Sequence, residues 1–123
     1  GRPRRCGWID LVALRYTTRV SGATVLCVML LDVLADLPEL KCCTGYMLDG
    51  KPIDHFPAGC DELARVEPVY ETLPGFEGPV EHCRTLADLP DNARKYLDFI
   101  AEFLGVPVVL ASVGPKRDQT AMG

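Results

Sequence analysis

Three groups of residues have the types and spacing to bind a polar ligand. The first is the basic start of the chain, where Arg2 and Arg4 stand on either side of Pro3. Alternate side chains of an extended segment point the same way, so these two arginines could hold one anion together. Their planar guanidinium forks suit carboxylates and phosphates. A solvated basic terminus without a ligand is the alternative interpretation.

The second group is Asp32, which directly follows an apolar run that predicts a buried strand. A carboxylate at such a strand end can accept parallel hydrogen bonds from N1–H and the exocyclic amino group of guanine. Adenine offers no such pair of donors, so the arrangement would select guanine. Alternatively, Asp32 is the N-cap of a short helical segment that begins at Val33.

The third group, Ser112 to Gly114, follows a second apolar run. Backbone amides in this turn could approach a base or a phosphate closely, because Gly114 has no side chain. An ordinary exit from a strand is the alternative. The sequence contains no complete phosphate loop of the G-x-x-x-x-G-K-[ST] type, because Pro52 follows the one stretch with this glycine and lysine spacing.

Two apolar strands, predicted over residues 24–31 and 106–111, must position the last two groups. Continuous apolar runs of this kind are typical of strands buried on both faces of a parallel sheet. Ligands of open α/β sheets bind at the carboxyl ends of the strands, so Asp32 and Ser112 to Gly114 should share one edge.

The remaining pattern completes an α/β fold. Asp10 is a plausible cap for a helix over residues 11–20, and apolar spacing predicts a longer helix over 91–104 that stops at Gly105. Asp49-Gly50 between two runs predicts a hairpin. The other expected elements are strands at 39–48, 51–53 and 68–73, short helical segments at 33–35 and 61–65, and a loose polar tail at 116–123.

Composition restricts the class of protein. The chain has 123 residues, with 17 acidic and 13 basic side chains and a net charge of −4, which argues for one domain and against nucleic-acid binding. Its apolar runs are too short to cross a membrane. Six cysteines include an adjacent pair and no C-x-x-C, which favours reduced thiols in a cytoplasmic protein over disulfides or zinc.

Several ordered motifs carry a family resemblance. They are GRPRRCGWID at the start, LDVL at 31–34, YETLPG at 70–75, DLP at 88–90, GVP at 105–107 and SVGP at 112–115. In these motifs the chain resembles the C-terminal part of the adenylosuccinate synthetases. The resemblance implies part of a P-loop-NTPase-like, mainly parallel sheet with helices and an antiparallel hairpin excursion. It also implies a homodimeric enzyme of purine biosynthesis that joins IMP to L-aspartate with GTP as co-substrate and Mg²⁺ as metal.

The same resemblance implies roles for the three groups. Aspartate and IMP would be bound by Gly1, Arg2, Pro3 and Arg4, and GTP by Arg4, Leu30, Leu31, Asp32, Ser112, Val113 and Gly114. The family's phosphate loop, catalytic aspartate and catalytic histidine lie upstream of the matched region. Residues 1–123 are therefore expected to form a single C-terminal fragment with no catalytic residue or metal ligand of its own, and to be inactive in isolation.

One departure from the family concerns Leu30. The family usually has a lysine there, whose stem packs along the guanine base, and leucine keeps apolar contact but loses the cation. We therefore expect weaker GTP binding. The alternative function is a non-catalytic nucleotide- or anion-binding module from a truncated or degenerate paralogue.

Overall fold

The computed structural model describes residues 7–123, which contain seven strands and three α-helices. In chain order these are β1 (Ile9–Asp10), α1 (Leu11–Ser21), β2 (Leu26–Val28), β3 (Glu39–Leu48), β4 (Lys51–Ile53), α2 (Cys60–Arg65), β5 (Glu67–Pro74), α3 (Asp91–Leu104), β6 (Val108–Ser112) and β7 (Thr120–Met122). Two 3₁₀ helices, Leu31–Leu34 and Leu86–Asp88, lie between them.

The strands form two separate sheets. In the first, β3 pairs with β1 in parallel and with β4 and β5 in antiparallel fashion. In the second, β6 lies between a parallel β2 and an antiparallel β7. The predicted mixed α/β class is confirmed. The described strands are not mainly parallel, however, because the meander through β3, β4 and β5 and the return of β7 are all antiparallel.

The predicted hairpin forms between β3 and β4. Asp49 (φ 51°) and Gly50 (φ 81°) both have left-handed backbone conformations, which a two-residue turn of type I′ requires. Tyr46 faces Ile53 across the ladder and Leu48 faces Lys51. The Asp-Gly pair therefore determines the register of this excursion.

Both predicted long helices form, and local sequence explains their ends. Asp10 caps α1 by accepting a hydrogen bond from the Ala13 amide at 3.1 Å, and Gly105 ends α3 with φ 74°. The inward face of α3 consists of apolar residues at helical spacing, all of them buried: Ala93, Tyr96, Leu97, Ile100 and Leu104. Among residues 7–123 no helix combines the length and apolar character needed to cross a membrane.

The strand predicted over residues 24–31 is shorter and more exposed than expected. Only Leu26–Val28 are extended, and Cys27 is exposed. The chain leaves the strand at Leu30, whose φ of 61° is left-handed, and enters the 3₁₀ helix at Leu31. The expected burial fails because β2 lies at the end of its sheet, with a neighbour on one side only among the described strands.

The polar tail is also more ordered than predicted. Residues Thr120–Met122 form β7, which pairs with β6, and Ala121 is fully buried. Three residues are too few to show a strand periodicity in the sequence. The backbone hydrogen bonds of the antiparallel pairing with β6 hold this segment.

Candidate functional site

The ends of β2 and β6 lie at one edge of the second sheet. The two strands run in parallel, with Val28 beside Ala111. The chain continues from β2 into the 3₁₀ helix that carries Asp32, and from β6 into Val113 and Gly114. This helix packs against β6. The structure therefore brings together the two groups that the sequence placed at a common edge.

Asp32 holds a carboxylate oxygen that lacks a partner. Its Oδ1 is buried and accepts no hydrogen bond from any residue in the described part of the chain. A buried acceptor without a donor costs about 1–3 kcal/mol. Hydrogen-bond donors from a ligand would remove this cost.

The alternative role of Asp32 as a helix N-cap is wrong. Leu30, not Asp32, occupies the N-cap position of the 3₁₀ helix, and the helix has no side-chain cap. Asp32 lies inside the first turn, and its backbone carbonyl accepts a hydrogen bond from the Ala35 amide at 3.2 Å. The side chain of Asp32 therefore does not cap the 3₁₀ helix.

Leu30 and Leu31 are adjacent but differ in what they offer a ligand. The side chain of Leu30 is 60 % exposed, whereas that of Leu31 is fully buried in the core. Leu31 can thus contribute only its backbone to a nucleotide site. Its buried side chain anchors the 3₁₀ helix and so holds Asp32 in place.

The turn after β6 is held by its own hydrogen bonds. Ser112 is buried, and its hydroxyl donates to the Gly114 carbonyl at 3.3 Å. The Val113 side chain is fully buried, and its amide donates to the Gln119 carbonyl at 2.9 Å. The backbone of this turn is consequently preorganised, as a platform for a flat ligand would need to be.

Gln119 contributes to this turn and was not among the residues predicted from the sequence. Its side-chain Oε1 accepts a hydrogen bond from the Lys116 amide at 3.0 Å. A Cβ atom on Gly114 would collide with the Gln119 side-chain amide. The absence of a side chain at Gly114 therefore lets Gln119 close the loop. The sequence indicates this contact only through the short spacing between Gly114 and Gln119, which are five residues apart.

The basic group lies outside the described residues. Gly1, Arg2, Pro3 and Arg4 all precede residue 7, so their proposed contacts with aspartate, IMP and GTP remain predictions. From Gly7 the chain enters β1 at Ile9, which pairs in parallel with Cys42 of β3.

Asp10 fixes the junction between β1 and α1. Besides capping the helix, it accepts a hydrogen bond from the Tyr46 hydroxyl at 2.5 Å. Burial, together with this hydrogen bond and the charge of Asp10, raises the pKa of Tyr46. The Tyr46 hydroxyl consequently stays protonated and donates to Asp10 across the whole physiological range.

The Cys83 thiol is not an activated nucleophile, although a histidine lies beside it. Cys83 Sγ lies 3.9 Å from His82 Nε2, but burial above all, followed by the charge of Asp88, raises the pKa of this thiol. The thiol instead donates to the Asp88 carbonyl at 3.5 Å. His55 pairs with Asp54 at 3.9 Å on the surface. A neutral Cys83 thiol is a structural group rather than a reactive one.

Five cysteines of the described residues are free thiols. Cys42, Cys43 and Cys83 are buried, whereas Cys27 and Cys60 are exposed. Burial, and to a smaller extent Glu71, raises the pKa of Cys42 to about 11. These buried thiols act as small apolar side chains of the core.

Comparison with known proteins agrees with the resemblance. The family model for adenylosuccinate synthetase matches residues 1–121. The adenylosuccinate synthetase of Alkaliphilus metalliredigens is 52 % identical over 120 residues, covering 98 % of this chain and 28 % of that protein. That of Synechocystis sp. is 52 % identical over 120 residues, covering 98 % of this chain and 27 % of the relative.

A solved structure extends the likeness to three dimensions. The fully ligated adenylosuccinate synthetase from Plasmodium falciparum superposes with a TM-score of 0.92 at 32 % sequence identity, covering 99 % of this chain and 30 % of that one. The chain thus spans little more than a quarter of the length of the curated relatives it matches. By its sequence and its fold, the chain belongs to the adenylosuccinate synthetase family.

Proposed function

We propose that this chain is the guanine-, IMP- and aspartate-contacting part of an adenylosuccinate synthase. The complete enzyme transfers the γ-phosphoryl group of GTP to the 6-oxygen of IMP, releasing GDP. The amine of L-aspartate then attacks C6, and inorganic phosphate leaves to give adenylosuccinate. This reaction serves AMP synthesis in the cytoplasm, and the enzyme acts as a homodimer.

The buried Asp32 Oδ1 without a donor is the observation that carries this proposal. The guanine edge offers two adjacent N–H donors, and a carboxylate is the side chain that accepts both. The preorganised turn at Ser112, Val113 and Gly114 lies at the same edge and would cover the base. Leu30 would contribute apolar contact to the base through its exposed side chain.

The proposed reaction also needs a metal site, and residues 7–123 do not provide one. Residues 7–123 contain no cluster of three or more His, Cys, Asp or Glu side chains suited to a metal ion. They therefore do not fit a Mg²⁺ site, and we assign metal binding, the phosphate loop and proton transfer to the remainder of the enzyme. Arg2 and Arg4 would supply cations for the aspartate carboxylates, with Arg2 also touching IMP and Arg4 the GTP phosphates.

A chimera tests the proposal directly. The matching 120 residues of the Alkaliphilus synthetase are replaced by this chain, and adenylosuccinate formation is measured with GTP or xanthosine triphosphate. We expect GTP-dependent ligation. Asp32→Asn should raise the KM for GTP roughly 5- to 150-fold, the effect of about 1–3 kcal/mol for a two-point base contact. It should also improve use of xanthosine triphosphate, whose 2-oxo group accepts a hydrogen bond from the new amide.

Asp98→Asn is the matched control, because it makes the same chemical change on the exposed side of α3. Asp98→Asn should leave the KM values for GTP and for xanthosine triphosphate unchanged. If the chimera is active and Asp32→Asn leaves its preference between GTP and xanthosine triphosphate unchanged, the assignment of Asp32 to guanine is wrong. The second candidate function is a non-catalytic nucleotide-binding module, and the sequence feature that favours it is Leu30 in place of the family's lysine. A folded chimera that binds GTP but forms no adenylosuccinate would support this second function.

A further inference from the structure

A groove lies between α1 and the segment that follows β4. It has a volume of about 250 Å³ and is lined by charged and aromatic side chains from both elements. We call it the α1 groove and define it by the side chains that offer polar or aromatic contacts, which are Arg15, Tyr16, Arg19, His55 and Phe56. None of them belongs to the three groups of residues assigned above, so the candidate guanine site does not account for this groove.

Two arginines give the α1 groove its charge. Arg15 and Arg19 are four residues apart on α1 and therefore lie on the same side of the helix. Neither guanidinium pairs with a carboxylate of residues 7–123, although the chain as a whole has a net charge of −4. Like charges at this spacing destabilise a helix. A bound anion would remove the repulsion, so the two arginines indicate an anion site.

The Arg15 guanidinium is held in position by contacts within the chain. Its Nη2 donates to the Asp54 carbonyl, and its Cζ lies 4.5 Å from the centre of the Phe103 ring. The Asp54 carboxylate is 96 % exposed and lies 3.9 Å from His55 Nδ1, so it does not neutralise the arginines. A cation that is already fixed loses little side-chain entropy when it binds a ligand, which favours affinity.

Aromatic rings lie beside the arginines in the α1 groove. Tyr16 and Phe56 stack with their ring centres 5.4 Å apart and their planes inclined by 23°. Tyr16 is 51 % exposed, which leaves part of its ring open to a ligand. Such a ring can pack against a flat organic group. The volume of the groove is below the roughly 300–1,000 Å³ of pockets for drug-sized ligands, so the groove suits a small molecule.

A phosphate group suits these contacts better than a carboxylate. It carries more acceptor oxygens, so both guanidinium groups can donate to it at once. We propose that the α1 groove binds a small phosphate monoester with a flat organic group. Its phosphate lies between Arg15 and Arg19, and its organic part packs on Tyr16. The inference does not depend on the proposed function, because none of these residues contributes to the guanine site.

Binding of phenyl phosphate to the chimera tests this inference. Isothermal titration calorimetry is carried out at fixed ionic strength, with GDP and IMP present in excess to occupy the nucleotide sites. Arg19→Gln should weaken the binding at least about tenfold, because it removes charge-assisted hydrogen bonds to the phosphate. Arg65→Gln is the matched control, since it makes the same change at an exposed arginine of α2 that already pairs with Asp49. It should leave the affinity unchanged, and equal effects of the two variants, or no binding at all, would overturn the inference.

The requirement for a charge is tested separately at position 19. Arg19→Lys keeps the cation and should restore most of the affinity that Arg19→Gln loses, because an ammonium group also binds phosphate. Equal losses in the two variants would contradict the anion site. An active chimera whose affinity for phenyl phosphate does not depend on Arg19 would refute the inference while leaving the proposed function intact. An inactive chimera that binds phenyl phosphate through Arg19 would do the reverse.

The organic part of the ligand is tested at Tyr16. Phenyl phosphate should bind about two- to tenfold more tightly than inorganic phosphate, because its ring contacts the Tyr16 ring. Tyr16→Ala should abolish this preference and leave the affinity for inorganic phosphate unchanged. Val20→Ala truncates another exposed side chain of α1 and should keep the preference. A preference that survives Tyr16→Ala would show that the organic group does not pack on Tyr16.

Discussion

At the scale of single residues, Asp32 and Leu30 would contribute differently to the proposed guanine site. Asp32 presents a buried acceptor that lacks a protein donor, which favours a ligand with N–H groups. Leu30, two residues earlier, presents an exposed apolar side chain on a left-handed backbone of φ 61°. A non-glycine residue in this conformation costs roughly 1–2 kcal/mol. The sharp bend separates the strand from the helix that carries Asp32.

Restoring a lysine at position 30 should strengthen GTP binding. In the chimera, Leu30→Lys should lower the KM for GTP about five- to tenfold, because a cation near the base and phosphates adds on the order of 1 kcal/mol. Met29→Lys adds the same charge at a neighbouring exposed position and should have a smaller effect. Equal effects of the two variants would show that general charge, not position 30, is responsible.

At the scale of elements, the segment that follows the 3₁₀ helix is held by the loop after β5. The Asp36 amide donates to the Phe76 carbonyl at 2.8 Å, and the Gly78 amide donates to Asp36 Oδ1 at 2.9 Å. Asn92 of α3 donates to the Gly75 carbonyl at 2.8 Å. These contacts connect α3, through the loop, to the segment that leaves the candidate guanine site.

Gly75 is the tightest point of this connection. A Cβ atom there would collide with the Leu37 carbonyl, so Gly75→Ala should lower the free energy of unfolding by about 1–3 kcal/mol, as overpacking does. It should also raise the KM for GTP in the chimera. Gly59→Ala is the control, because its Cβ would meet nothing within 4 Å at a φ of −93°. Urea unfolding of the two variants measures the difference, and equal stabilities would contradict the role of Gly75.

At the scale of the whole molecule, stability depends on thiols and phenols that are buried in the neutral form. Burial, followed by the charge of Glu71, raises the pKa of Cys42 from 9.0 to about 11. Burial, followed by the charge of Cys42, raises the pKa of the Tyr96 hydroxyl from 10.0 to about 12. Both groups lie in the main core, where α3 packs against the sheets. Ionising either one in place would put an unpaired charge into that core.

The protein should therefore lose stability in alkali. Between pH 9 and pH 11 the unfolded chain releases the Cys42 proton while the folded chain keeps it, so the free energy of unfolding falls as pH rises. The loss from Cys42 alone is about 2 kcal/mol by pH 11, at roughly 1.4 kcal/mol per pKa unit. Urea unfolding at pH 8 and pH 10.5 measures it. Cys42→Ala should be less stable at pH 8 but show a shallower alkaline decline, and an identical decline would contradict the assignment.

Local features of the sequence determined much of this structure. Asp10 and Gly105 mark helix ends, the spacing of five apolar residues identifies the inner face of α3, and Asp49-Gly50 specifies the hairpin. Each depends on contacts within a few residues, which composition and spacing reveal directly. The family resemblance likewise rests on sequence alone.

Only the tertiary structure decided which apolar strand has a neighbour on both sides. The run at 24–31 is apolar enough for a buried strand, yet β2 has one partner and Cys27 is exposed. The segment at Thr120–Met122 has no strand signal, yet β6 orders it. Gln119 closes the turn at Gly114, and Asp32 Oδ1 lacks a donor. The physical reason is that burial and hydrogen bonding at these sites depend on residues distant in sequence, whose positions pairing and packing determine.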